Sequence, residues 1–123
     1  MTGLDVVMDP RGFARVRAAG ALTPEKALAI FRNLYGHDDH EPGMDVLYDL
    51  READLSRLQA DEMKVMFSRL GELPPADRAA IVVREDVDYG VMRMWFVFSS
   101  TNAGERKIFR EVEAAERWLA GAG

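Results

Sequence analysis

The groups with most chemistry to offer in this chain are its carboxylates and its two histidines. Asp45, Asp49, Asp54, Asp86 and Asp88 fall near the ends of apolar runs. If those runs are strands of an open α/β sheet, ligands bind beyond their carboxyl ends, where Asp49 meets the "REDVDYG" turn that carries Asp86 and Asp88. Paired acids there can share general-acid and general-base work. The plainer role for the same residues is to cap the helices that follow, and this is the preferred reading. The loop "HDDHE" sets His37 and His40 three residues apart among carboxylates, a spacing that can bring two imidazoles to one metal ion. Polar residues between Gly36 and Pro42 are also what any solvated loop contains, so metal is not expected.

Other chemistries lack their parts. There is no cysteine, which excludes disulfides, thiolate metal sites and cysteine nucleophiles and suits a reducing cytoplasm. No serine or cysteine is visibly paired with either histidine, and no Gly-rich phosphate loop follows a predicted strand. No cofactor is expected. The net charge of −5 argues against nucleic acid, because neutralising phosphates needs clustered Lys and Arg. The densest basic stretch, "ERKIFR", leaves a local patch at Arg106, Lys107 and Arg110 for a headgroup or phosphate.

The elements that must position these groups follow from hydrophobic pattern. With 123 residues, 48% hydrophobic and 30% charged, the chain fits a single globular domain spanning 1–123. "LDVVM" and "FARVRAA" flank "DPRG", which predicts an antiparallel hairpin whose second strand ends at Gly20. "LTPEKALAIFRNLYG" predicts a helix, with Thr23 as N-cap, Pro24 at the first position, an apolar stripe of Ala27, Ile30, Phe31 and Leu34, and Gly36 as its stop. "MDVLYDL" and "AAIVV" read as strands buried on both faces. A second helix is expected over 59–71, with Leu58, Met63, Met66, Phe67 and Leu70 inward. Lys107 to Phe109 forms a last strand, and Glu111 to Ala120 a last helix with Val112, Ala115, Trp118 and Leu119 on one stripe. Strands separated by helices of this length need crossovers, so the centre is β-α-β with a parallel pair and the class is α/β. No apolar run is long enough to cross a bilayer and the N-terminus is no signal peptide, so a cytoplasmic location is expected.

Several segments, in this order, carry a resemblance: "RVRAAGALTPEK", "VLYDLREADL", "RAAIVVREDVDYGVMRM" and "RKIFREVEAAERWL". Together the chain resembles the bacterial SpoIIAA-like group of STAS domains. The resemblance implies a mixed sheet of about five strands, an N-terminal antiparallel hairpin followed by parallel strands, with about four helices packed on it. It also implies a topology similar to the anti-sigma-factor antagonists and distantly to the CRAL-TRIO lipid carriers. Two roles follow by fold analogy: a regulatory or protein-interaction module, or a small carrier or sensor for an apolar, fatty-acid-like ligand. Signalling members carry an Asp-Ser-Ser-Gly turn whose serine is phosphorylated. Here that region reads "DLREADLSRLQADEM", with no glycine and one serine, so Ser56 is the candidate phosphorylation position and a plain N-cap is its simpler role.

One segment exceeds what a core needs. "DYGVMRMWFVFSS" reads as a helix by the resemblance, with Tyr89, Met92 and Phe96 in one row and Val91, Met94, Trp95 and Phe98 in another, apolar almost all round. Ordinary core, a homodimer interface or a methionine-lined ligand pocket each account for the excess. Tyr89, Met92, Arg93, Trp95, Phe96 and Phe98 are the candidate partner or ligand surface. The functional expectation is a non-enzymatic interaction module, a homodimer; the alternatives are an apolar-ligand binder and an acid-base or metal enzyme using Asp49, Asp86 and His37.

Overall fold

The computed structural model describes residues 4–41, 43–54, 78–84 and 105–121. They form a five-stranded sheet ordered β1 (Leu4–Met8), β2 (Phe13–Ala21), β3 (Asp45–Asp54), β4 (Arg78–Val82), β5 (Glu105–Phe109). β1 and β2 are antiparallel, and every later neighbour is parallel, so the mixed α/β sheet agrees with the sequence reading. Two helices lie among the described residues, α1 (Pro24–Tyr35) and α2 (Val112–Leu119). The helices expected over 59–71 and 89–98 lie outside the described residues, so two of about four are seen.

The hairpin turn closes as its composition requires. Pro10 sits at the second position of a turn in which the Gly12 N–H donates to the Asp9 carbonyl at 3.0 Å, and Gly12 takes φ +99°, a left-handed angle that a side chain would resist. The Asp9 carboxylate also accepts from the Arg11 N–H at 2.9 Å.

Alternation then sorts the sheet residues between two layers. On one face Ala14, Val16 and Ala18 of β2, Val46 and Leu50 of β3, and Ala79 and Ile81 of β4 pack with Ala27, Leu28, Ile30 and Leu34 of α1. On the other, Phe13, Leu47, Ala80 and Val82 pack with Ala115 and Leu119 of α2. Each Leu or Ile so buried contributes roughly 1.5–3 kcal/mol. Thr23 caps α1 as its position predicts, its hydroxyl accepting from the Lys26 N–H at 3.2 Å. Leu28 replaces Phe31 in the inner stripe; Phe31 instead stacks with Tyr35 at 6.4 Å and meets the Tyr48 edge. Gly36 ends α1 in a right-handed conformation, where a Cβ would stand 2.8 Å from the Arg32 carbonyl oxygen.

Two strands run past their predicted ends. β2 does not stop at Gly20 but continues to Ala21, and β3 continues beyond Leu50 to Asp54. The two extensions pair with each other, Gly20 opposite Ala53 and Ala21 opposite Asp54, and bury Ala53. Gly20 holds φ +80° inside the strand. Between Arg17 and Ala19 the register slips, so that two steps in β2 span three in β3, from Asp49 to Glu52. This is a bulge in β3, and it bends a strand and re-aims the side chains around it.

Candidate functional site

The bulge is what builds the site. Asp49 stands before it on the sheet face that carries α2; within it Arg51 comes back to Asp49, and at its far side Glu52 comes within 2.9 Å of Arg17 on β2. Arg51 grips Asp49 with both ends of its guanidinium, Nε to Oδ1 and Nη2 to Oδ2 at 2.9 Å each, and its backbone N–H also donates to Oδ1 at 3.3 Å. The result is a row of alternating charge, Arg17–Glu52 and Arg51–Asp49. Only the Asp49 carboxylate is well buried, with 12% of its side chain exposed against 46% for Arg51 and 56% for Arg17 and Glu52.

Burial opposes the charge on Asp49, yet the hydrogen bonds from Arg51 and the field of Arg17 outweigh it, and the carboxyl is held below its ordinary pKa. The pairing correspondingly raises Arg51. Such a carboxylate stays ionised with its lone pairs engaged, so it is poorly suited to giving or taking a proton near neutrality. The expectation that Asp49 caps a following helix is corrected: the strand runs five residues beyond it, so Asp49 lies in mid-strand.

The other carboxylates do not join it. Asp45 stands at the opposite, amino end of β3, where it accepts from the Arg78 N–H at 3.0 Å and guanidinium at 2.9 Å. Arg78 also donates to the carbonyls of Trp118 and Leu119 at 2.8 and 2.7 Å, tying the end of α2 to the sheet. Asp54 closes β3, its backbone carbonyl accepting from Leu22. Asp86, Asp88, Ser56, Tyr89, Met92, Arg93, Trp95, Phe96 and Phe98 lie outside the described residues.

His37 and His40 are both placed by local contacts. The His37 Nδ1 accepts from the Asp39 N–H at 3.1 Å, and the His40 ring meets Tyr35 edge-on at 5.0 Å. No group of three His, Cys, Asp or Glu suited to a metal ion occurs among the described residues. The expected basic patch divides: Arg106 packs on the α1 face near Tyr35 and Tyr48, Lys107 lies over the Phe109 ring, and Arg110 reaches the Arg84 carbonyl at 2.6 Å. Consecutive strand residues point to opposite faces, so Arg106 and Lys107 cannot converge.

Two clusters escaped sequence reasoning. At the hairpin turn, Arg11 and Arg15 hold Asp9 and Glu116 of α2 and stack over the Phe13 ring at 5.1 and 5.5 Å. The Arg11 hydrogen bonds are the main reason that Asp9 lies well below the carboxylate range, and with those of Arg15 they also lower Glu116. On the α1 face, burial raises the hydroxyl pKa of Tyr35 and Tyr48 and lowers the guanidinium pKa of the nearby Arg106. The signal for the first was Arg15, alternating with Val16 and Arg17 along β2, but its partner Glu116 lies 101 residues away, which no local pattern reveals.

Comparison with known proteins agrees with this architecture. A family model described as SpoIIAA-like matches residues 13–120. No curated protein matches the chain. Among solved structures it is similar to an uncharacterized protein of the DUF3478 family with a SpoIIAA-like fold from Shewanella loihica PV-4, with a TM-score of 0.58 and 21% identity over 94% of this chain and 91% of that one. At that identity the likeness shows the fold. No helix among the described residues is long and apolar enough to cross a membrane.

Proposed function

The chain belongs to the SpoIIAA-like family, and from that premise we propose that it is a non-enzymatic STAS-type module that acts through contacts with protein, first of all with a second copy of itself. The observation that carries this reading is the bidentate Arg51–Asp49 pair. It engages the one carboxylate on the sheet that sequence reasoning singled out for acid-base work and that the structure describes. Thr23, the one aliphatic hydroxyl among the described residues, is likewise engaged, as an N-cap. Ion pairs such as Arg17–Glu52 and Arg51–Asp49 suit specific, salt-sensitive contact with another protein better than turnover.

The proposed contact surface is the apolar segment bearing Tyr89, Met92, Arg93, Trp95, Phe96 and Phe98. Its apolar excess is of the kind that marks interfaces. The test is light scattering across a range of concentrations, for the wild type and for Trp95→Asp. A wild-type dimer that the substitution converts to monomer supports the reading; a strict monomer at every concentration contradicts it.

A further inference from the structure

β1 forms an edge of the sheet, and no described strand pairs with its far side. The Asp9 N–H donates to the Phe13 carbonyl at 2.8 Å, which fixes that pair as hydrogen-bonded. Antiparallel ladders alternate, so Val7 opposite Arg15 and Asp5 opposite Arg17 also bond inward. Leu4, Val6 and Met8 therefore turn their N–H and C=O groups away from the sheet.

Natural edges are usually guarded by lysine, proline, a bulge or inward charge. β5, the other edge of the described sheet, carries Glu105, Arg106 and Lys107 in five residues. β1 has only Asp5, and its Val7 is the large hydrophobic most open to water among the described residues, at 56%. Beside this edge lies a groove of about 450 Å³, walled by Leu4, Asp5 and Val6 on one side and by Asn33, Gly36, His37 and Asp38 at the end of α1 on the other. An open strand edge facing a helix across a groove is the geometry of recognition by strand addition.

We propose that this groove takes an extended segment of a partner protein in which apolar and basic residues alternate, added as a sixth strand against β1. Charge selects that occupant. Asp5 and Asp38 are the ionic groups lining the groove apart from His37, and both are exposed. A second copy presenting the same acidic edge brings like charges together, whereas an alternating strand can turn its basic residues to the groove side, where one pairs with Asp38, and its apolar residues to the opposite face shared by Asp5 and Val7, where one covers Val7. The proposal rests on the reading of the chain as a protein-interaction module but uses a surface separate from residues 89–98.

The test uses the full chain and a fluorescein-labelled seven-residue peptide of alternating Lys and Val, followed by fluorescence anisotropy, with alternating Glu and Val as control. Val6→Pro removes an outward N–H and leaves the β1–β2 ladder bonds in place. It is expected to weaken binding roughly tenfold, the upper range for losing one hydrogen bond, with an unchanged circular dichroism spectrum. Asp38→Lys is expected to weaken it about threefold. Should Val6→Pro not fold, the Lys-Val peptide N-methylated at alternate residues gives the same reading on the wild-type protein, with binding lost. No binding, equal binding of the Glu-Val peptide, indifference to N-methylation, or self-association that Val6→Pro abolishes would each overturn the proposal. None of these bears on a dimer that Trp95→Asp disrupts, so failure here and failure of the interaction reading are distinguishable.

Discussion

Asp49 shows how far a single residue can be read. Its charge and its place on a buried strand are plain in the sequence, and they suggested acid-base chemistry. Its partner was not legible, because Arg51 and Glu52 arrive on the α2 face through a bulge that no residue between Asp49 and Ala53 announces. Once paired, the carboxylate belongs to stability. Arg51→Ala leaves it buried and uncompensated and is expected to cost about 1–3 kcal/mol, read from urea denaturation. Asp49→Asn removes the charge and should cost less than Arg51→Ala. The pH dependence follows from the lowered values of Asp49, Asp9 and Glu116. Groups lowered on folding stabilise fully above their unfolded pKa, about 3.9 for Asp and 4.3 for Glu, and that contribution is lost as pH falls through the folded values. The melting temperature should hold from neutrality to about pH 5 and fall below it, and Arg51→Ala should flatten the fall.

Elements were the most legible level. Thr23, Pro24 and an apolar stripe announce α1, and Thr23→Ala is expected to lower stability by about 1 kcal/mol in thermal or urea unfolding. Alternation announces the hairpin and continuous apolar runs announce β3 and β4, because burial on both faces leaves little room for polar residues. The extensions of β2 and β3 were hidden for a physical reason: Gly20 and Ala53 have weak strand propensity and are held by pairing with each other. Gly20→Ala forces a side chain into φ +80° and should destabilise by about 1 kcal/mol. The tie between α2 and the sheet is also long-range. Arg78 serves two helix carbonyls, Asp45 and the Trp118 ring, 5.6 Å from its guanidinium carbon. Lysine cannot reproduce that fork, so Arg78→Lys is expected to cost about 1–3 kcal/mol, mostly as fraying of α2 detectable by hydrogen exchange.

At the scale of the molecule, order and spacing of several weak motifs pointed to the family before any contact was known, and the match over 13–120 agrees. A family of this kind fixes architecture and leaves function to the particular surfaces of each member. For this chain the proposed ones are the apolar segment around Trp95, the charged face that the β3 bulge organises, and the edge of β1 that no described strand covers. The proposed function gives these surfaces a shared theme, contact with protein, with Asp9, Asp49 and Glu116 paired to arginine. Mass spectrometry of the purified protein under native and then denaturing conditions tests this most directly. The expected result is a native species of twice the 13.8 kDa chain mass that dissociates to bare chains. A monomer at every concentration, or a chain that releases an apolar small molecule on denaturation, would contradict it.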